Sequence, residues 1–212
     1  MKKKIKLLVI SGSPTVDSST DILLDRMAEA LLDEIDGAVK VERKDVRLND
    51  LVILPCQACG EAPTPAWCFF NDDLTPIYTE LAECDCLLFG SPVYFDSVSA
   101  QAKLFIDRCN CFRPADFEDQ DPAHDFLKLL PAKRPGAMAL VGGERGWLEG
   151  ARKVIAGFFK WVEVTGEGVV THHSPSFKDA GSAADDDAAL READTVGKKL
   201  GALLLQKEHE RK

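Results

Sequence analysis

The chain has 212 residues, of which 45% are hydrophobic and 29% charged, so it can bury a globular core and is neither disordered nor collagen-like. Its net charge of −9 argues against a DNA or RNA partner, because nucleic acids attract clustered positive charge. No apolar run approaches the roughly 20 residues that span a bilayer, and residues 5–10 are too short for a signal peptide, so we expect a cytoplasmic protein without a membrane partner.

Apolar runs of strand length alternate along the chain with longer segments of helical period. The predicted strands span residues 4–10, 38–46, 84–89, 136–141 and 168–171. The predicted helices begin at Ser18–Thr20, Asp72, Ser99, Glu149 and Asp185. Residues 7–10 are apolar without interruption, as in a strand covered on both faces, and Gly90-Ser-Pro92 is expected to break the third strand.

Strict alternation of five strands and five helices predicts a parallel sheet with right-handed crossovers and helices on both faces. For five strands, the flavodoxin-like order 2-1-3-4-5 is the leading candidate, in a three-layer α/β/α sandwich. The sequence contains no internal repeat and no interdomain linker. Residues 1–212 are therefore expected to form one domain.

Such a sheet binds ligands beyond the carboxyl ends of its strands, where the strand order reverses. Here that place lies between strands one and three, beside the turns 11–20 and 91–99. The first turn is dense in hydroxyls and runs into a helix N-terminus, which suits a phosphate group. Walker A and Rossmann glycine patterns are both missing, so a monophosphate fits better than a dinucleotide. A capped, serine-rich turn without a ligand is the alternative.

Two further turns are predicted at the same edge of the sheet. Residues 90–99 place the aromatic pair Tyr94 and Phe95 at the end of a buried strand, where they either flank a flat ring or pack in the core. Residues 142–147 are rich in glycine, which lets backbone N–H groups approach a ligand closely. Three such turns at one edge are stronger evidence for a ligand than any one of them.

Several motifs along the chain together resemble a known family. They are Gly12-Ser13-Pro14 with Ser19-Thr20, Cys56-x-x-Cys59, Asp72-Asp73, Gly90-Ser-Pro-Val-Tyr-Phe95 and Lys103-Leu-Phe-Ile-Asp-Arg108. In this order they resemble the NADPH-dependent FMN reductase and iron-sulfur flavoprotein branch of the flavodoxin-like superfamily, over about residues 5–175. The last two motifs are the specific ones, whereas Gly-Ser-Pro alone is a common turn.

The resemblance implies that the chain binds FMN. It implies phosphate-binding hydroxyls in the first turn, on Ser11, Ser13, Ser18, Ser19 and Thr20. It implies that the isoalloxazine ring lies against Pro92, Val93, Tyr94, Phe95 and Asp96, and that its pyrimidine edge is covered by Gly142, Gly143, Glu144, Arg145 and Gly146. The family often has an arginine directly after Gly-Ser-Pro, where this chain has Thr15. The phosphate then depends on hydroxyls and backbone, or on an arginine from elsewhere, with Arg145 and Arg108 as candidates.

The implied activity is hydride transfer from NAD(P)H to FMN, with electrons passing to a quinone, a free flavin, a metal ion or a protein acceptor. Because the flavin carries the reaction, we assign no catalytic side chain. The resemblance also implies a homodimer or homotetramer with the flavin near an interface, and residues 67–70 are a candidate contact surface.

Seven cysteines in a chain of this length indicate reduced thiols rather than a disulfide scaffold. Iron-sulfur members of the resembled family carry Cys-x2-Cys-x2-Cys and a fourth cysteine soon after. This chain has Cys56 and Cys59, Ala62 in the third place, and then Cys68. Because a [4Fe–4S] cluster usually takes four thiolates, we expect neither a cluster nor another metal here. A redox-active dithiol and a purely structural loop both stay open.

Two other interpretations of the whole chain also stay open. One is an iron-sulfur electron carrier without a substrate pocket. The other is a non-enzymatic, thiol-bearing binding or sensing module on an empty flavodoxin scaffold, which Thr15 favours. His172 and His173, at the end of the fifth strand, are expected to be a surface or interface pair.

Overall fold

The computed structural model of the chain describes residues 4–61, 66–114, 116–117, 121–125, 127–130, 133–176 and 178–210. Its main strands are β1 (Ile5–Ser11), β2 (Val41–Arg47), β3 (Cys86–Tyr94), β4 (Arg134–Gly143) and β5 (Val164–Ser174). Its helices are α1 (Ser19–Ile35), α2 (Thr75–Glu83), α3 (Ala100–Arg108), α4 (Glu149–Trp161) and α5 (Asp187–Glu210).

The five main strands form a parallel sheet in the order β2-β1-β3-β4-β5. Helices α1 and α5 cover one face of this sheet, and α2, α3 and α4 cover the other. A two-residue strand, Ser97–Val98, folds back antiparallel onto the end of β3. The predicted flavodoxin-like sandwich and its strand order are confirmed.

Strand β1 shows why the sheet is covered on both faces. Leu8 and Ile10 belong to the core under α2, α3 and α4, whereas Leu7 and Val9 belong to the core under α1 and α5. The uninterrupted apolar run therefore supplies both cores, as the sequence predicts. None of the helices within the described residues is long and apolar enough to cross a membrane.

The prediction that Gly90-Ser-Pro92 breaks the third strand is wrong, because β3 continues through these residues to Tyr94. Pairing with β1 ends at Gly90, while pairing with β4 runs on to Pro92, so the proline removes no hydrogen bond to β1. Gly90 serves a packing purpose instead. A Cβ at this position would lie 2.6 Å from a methyl group of Thr20, so the glycine lets α1 approach the sheet.

Strands β4 and β5 both begin earlier in the chain than predicted. The charged side chain that opens β4, Arg134, is buried and donates to the carbonyl oxygen of Val162 at 2.7 Å. Strand β5 lies at the edge of the sheet and exposes polar residues such as Thr165. These residues interrupt the apolar run from which the start of the strand was predicted. Tertiary contacts therefore set these two boundaries.

Close packing of α1 against α5 yields a stability prediction. A Cβ at Gly197 would lie 2.3 Å from the carbonyl oxygen of Met27 on α1, whereas a Cβ at Gly157, on α4, would meet no atom within 4 Å. We expect Gly197→Ala to lower the free energy of unfolding by about 2 kcal/mol, because the helices must separate. The control Gly157→Ala should raise it by up to about 1 kcal/mol. Urea denaturation of both variants checks this, and equal effects would contradict the packing described.

Candidate functional site

A cleft of about 250 Å³ opens at the carboxyl edge of the sheet, where the predicted turns meet. Its walls come from the turn after β1, the end of β3, the turn after β4 and the loop after β5. The predicted residues that line it are Ser13, Ser18, Ser19, Thr20, Pro92, Val93, Tyr94, Gly142, Gly143 and Glu144. The structure therefore brings together most of the predicted site, and it adds a fourth wall.

The turn after β1 is held by its own side chains. Ser18 forms a capping box with Asp21 at the start of α1, in which its hydroxyl accepts from the Asp21 N–H at 3.3 Å. The Ser13 hydroxyl accepts from the Thr15 N–H at 3.2 Å. Ser11 donates to the Asp21 carboxylate and lies outside the cleft lining, so the structure does not group it with the other hydroxyls. The hydroxyl-rich wall is thus pre-formed at a helix N-terminus.

The end of β3 presents an aromatic rim beside the cleft. Tyr94 lines the cleft and is 45% exposed, and the neighbouring Phe95 is fully exposed. Phe95 and Asp96 have φ values of 51° and 57°, in the left-handed region that is costly for such residues. Both lie outside the cleft lining, and Asp96 accepts from the Trp147 N–H at 3.1 Å. The strained turn therefore points Phe95 outward while fastening to the next turn.

Glycines shape the turn after β4. Gly142 and Gly143 line the cleft together with Glu144, whereas Arg145 and Gly146 do not. The Gly146 N–H donates to the Gly143 carbonyl at 2.9 Å and closes the turn. Because Arg145 lies outside the lining, the structure does not support it as the arginine that replaces Thr15.

The fourth wall, which the sequence did not indicate, is formed by Ser174 at the end of β5 and by Pro175, Ser176, Asp179 and Ala180 in the loop that follows. This loop is attached to the start of α1, where the Ser19 N–H donates to the Ala180 carbonyl at 2.5 Å. The Ser19 hydroxyl also accepts from the Ala183 N–H at 3.0 Å. Its position after a parallel strand was the available signal, since all such ends meet at one edge.

A buried polar network lies directly behind this fourth wall. His172 is only 5% exposed, so the expectation of a surface pair is wrong for this residue. Its Nδ1 lies 2.7 Å from the Asp186 carboxylate, and its Nε2 lies 2.8 Å from the Ser182 hydroxyl. The Ser182 hydroxyl in turn donates to Ser174 at 3.1 Å and lies 3.5 Å from the Ser19 hydroxyl. His172 thus connects to both sides of the cleft through one serine.

The other candidate arginine, Arg108, is buried in an ion pair away from the cleft. Its Nη1 lies 2.6 Å from the Asp72 carboxylate, and both side chains are nearly inaccessible. Burial alone would raise the pKa of Asp72, but hydrogen bonds from Arg108 and the Leu54 N–H outweigh it and lower the pKa. Arg108 therefore stabilises the fold around α3 and does not replace Thr15.

The cysteines gather around a second cavity of about 300 Å³, which Cys56, Cys59, Cys68 and Cys111 line together with Arg108. Sequence analysis did not connect Cys111 with this loop. Burial, reinforced by Cys68, raises the pKa of the Cys111 thiol to about 12. Within the described parts of the chain, no group of three or more His, Cys, Asp or Glu side chains is arranged to hold a metal ion. Ala62, where a third loop thiol would fall, lies outside the described residues.

Comparison with known proteins matches residues 5–174 to the family model of NADPH-dependent FMN reductase. An iron-sulfur flavoprotein of Methanocaldococcus jannaschii is 30% identical over 205 residues, which cover 94% of this chain and 97% of the relative. An FMN-dependent NADH:quinone oxidoreductase of Methylocella silvestris is 28% identical over 142 residues, which cover 62% of this chain and 70% of the relative. A solved flavone reductase superposes with a TM-score of 0.64 at 16% identity, over 97% of this chain and 65% of its own length, and shares the fold.

The buried Arg108–Asp72 pair yields a pH prediction. Since the pKa of Asp72 is held below its ordinary value, the stability that the pair contributes is present at neutral pH and is lost as the pH falls below about 4. We expect Asp72→Asn to cost about 3 kcal/mol at pH 7, because it leaves a buried charge unpaired. The cost should shrink towards pH 3. Urea denaturation at both pH values measures it.

The neighbouring Asp73 provides a matched control. It is exposed, and its carboxylate accepts only one described hydrogen bond, from the Val52 N–H at 2.8 Å. Asp73→Asn should cost less than about 1 kcal/mol at either pH. Equal losses of stability in the two variants would show that the buried pair contributes no more to stability than the exposed carboxylate of Asp73.

Proposed function

Because the chain belongs to the NADPH-dependent FMN reductase family and is an NAD(P)H-dependent FMN oxidoreductase, we propose that it binds FMN in the cleft at the carboxyl edge of the sheet. The observation that carries this proposal is the meeting of a hydroxyl-rich helix start and an apolar strand end in one cleft. The first suits the phosphate and the second suits the flat ring. Residues 1–212 would then act as one FMN-binding domain, in the cytoplasm.

The chain's own residues supply binding and orientation. Bound FMN would supply the chemistry of hydride transfer from NAD(P)H and of electron transfer to the acceptor. Ser13, Ser19 and Thr20 would hold the phosphate end, and Pro92, Val93 and Tyr94 would contact one face of the ring. The turn Gly142–Glu144 would approach the ring through its backbone, which its glycines allow.

The acceptor that the cleft suits best is a flat conjugated molecule such as a quinone. Three large rings stand exposed at or beside the cleft, namely Tyr94, Phe95 and Trp147. Aromatic faces of this kind stack on planar ligands. The similarity to an FMN-dependent NADH:quinone oxidoreductase supports the same class. A free flavin, a metal ion and a protein acceptor are the competing outcomes of an acceptor screen.

We also propose that the active form is a homodimer or homotetramer. Phe69, on the predicted contact surface 67–70, is 55% exposed and packs edge-on against Phe70. Exposed aromatic residues of this kind are enriched in subunit interfaces. Light scattering of the purified protein measures the assembly directly.

A substitution at Ser13 tests whether the phosphate lies at the first turn. Ser13→Asp places a carboxylate beside the dianionic phosphate, so we expect FMN binding to weaken by at least about 100-fold. Riboflavin, which lacks the phosphate, should lose far less affinity. Fluorescence titration with both ligands measures this.

The control Thr195→Asp adds the same charge at an exposed position of α5 and should leave both affinities unchanged. Circular dichroism shows whether the Ser13 variant folds. Unchanged FMN affinity in a folded Ser13→Asp protein would show that the phosphate does not bind at this turn.

An iron-sulfur electron carrier is the second candidate, and two observations favour it. The relative from Methanocaldococcus jannaschii is named an iron-sulfur flavoprotein, and four thiols line one cavity. The thiols that the structure describes do not converge as metal ligands, so the residues present do not fit a cluster. We derive no step of the reaction through one.

Anaerobic reconstitution with iron and sulfide tests this second candidate. We expect only flavin bands and less than about one iron per chain, because too few thiols converge. About four irons per chain, lost in Cys111→Ser and kept in Cys109→Ser, would overturn this expectation. Cys109 is the matched control, since it is buried two residues away and does not line the cavity.

A further inference from the structure

The cleft has an unusual charge balance for a site that binds a phosphate. Among the described residues that line it, the charged side chains are Glu144 and Asp179, both acidic. Thr15 occupies the place where the family often has an arginine, and Arg108 is paired with Asp72 elsewhere. The N-terminus of α1 supplies only a partial positive charge. A further source of positive charge would therefore strengthen the binding of a dianionic phosphate in this cleft.

His172 is the base that the structure connects to the phosphate-binding wall. Its Nε2 lies 2.8 Å from the Ser182 hydroxyl, which lies 3.5 Å from the hydroxyl of Ser19. Ser182 also donates to Ser174, a second residue of the cleft wall, at 3.1 Å. One serine thus separates a buried imidazole from two cleft residues.

We propose that His172 is a positioning residue, an inference that rests on the proposed FMN site. His172 takes up a proton when FMN binds. Through Ser182 and Ser19, the protonated ring balances part of the phosphate charge. In the neutral ring, Nδ1–H donates to Asp186 and Nε2 accepts the single Ser182 proton, which is then not available to Ser174. The protonated ring donates from both nitrogens, and Ser182 is then oriented to donate towards the cleft. The proton comes from solvent and returns to it on release of FMN.

An acidic side chain faces His172 directly. Asp186, at the start of α5, is in direct contact at 2.7 Å. The Ala189 N–H and His172 lower the pKa of Asp186, so this carboxylate stays ionised. The acidic groups on the surrounding elements are Asp21, which is paired with Arg47 at 2.9 Å, and Glu144, Asp179 and Asp185, while the loop after β5 and α5 also carry the basic Lys178 and Arg191. Proton uptake makes the charge next to the incoming phosphate less negative.

The sign of the resulting pH dependence is fixed. If FMN binding takes up a proton, the affinity for FMN must fall as the pH rises. Riboflavin has no phosphate and should not show this dependence. Above about pH 6.5 the phosphate itself is mostly dianionic, so its own titration contributes little there.

The test is a set of FMN and riboflavin titrations of the full-length apoprotein between about pH 6.5 and 8.5. We expect the FMN dissociation constant of the native chain to rise by about tenfold over this range, since one proton changes affinity by up to about tenfold per pH unit. In His172→Gln the curve should be flat, and the affinity at the acidic end should be correspondingly weaker. Calorimetry in buffers of different ionisation enthalpy should show proton uptake by the native chain that the variant lacks.

His173→Gln is the matched control, because His173 is on the same strand, is exposed and bonds only to the Gly143 carbonyl among its described contacts. It should keep the native pH dependence. A His172 variant that weakens FMN and riboflavin equally at every pH would reduce the residue to a structural role and overturn the proposal. FMN binding with the same pH curve in both proteins would also overturn it. Failure of the native chain to bind FMN at all would instead overturn the proposed function.

Discussion

The backbone of Gly12 holds together the two turns on which the cleft depends. Its N–H donates to the Gly90 carbonyl at 2.8 Å, and its carbonyl accepts from the Ser99 hydroxyl at 2.6 Å. A Cβ at this glycine would lie 2.8 Å from the Cβ of Ala102, so no larger residue fits without displacement. These contacts join the ends of β1 and β3 just where the chain leaves them for opposite layers, to α1 and α3. The cleft opens there because neighbouring connections diverge.

The rest of the site follows from how each wall is held. The walls after β1 and β4 are short turns with internal hydrogen bonds, as at Ser13 and Gly146, and the wall at the end of β3 is fastened to the turn after β4 through Asp96. The fourth wall is longer and is held from behind by the network of His172, Ser182 and Asp186. A wall held by buried polar groups responds to a change in their charge, whereas a wall held by backbone contacts does not. Under the proposal for His172, the loop after β5 is the part of the site that couples to pH.

Periodicity and composition predicted the layers, the strand order and three of the four walls. These succeed because apolar runs such as 7–10 report burial on both faces, and because parallel strands must end at one edge. The same reasoning fails at β3, where Gly90 and Pro92 are strong breakers in isolation but lie in a strand that tertiary pairing completes on one side.

The missed features share a cause as well. The pairing of His172 with Asp186 and the placing of Cys111 beside Cys68 depend on residues distant in the chain. Nothing in the local sequence records such contacts. The loop after β5 was not predicted for a different reason. The local sequence of Ser174–Ser176 is typical of a surface connection, and only the position of β5 in the sheet places this loop at the cleft.

The two ends of the cleft differ in burial, and this difference suits an enzyme that keeps its cofactor while exchanging substrates. At the hydroxyl end, Ser13, Ser19 and Thr20 are almost fully buried, and Ser19 and Thr20 form the start of α1. At the aromatic end, Phe95 stands fully exposed on a turn with two residues at positive φ. Such strain persists only where the surroundings enforce it, here through Asp96 and the backbone N–H of Trp147. A ring held outward at an energetic cost is an argument for a partner that stacks on it, whether an acceptor molecule or a second copy of the chain.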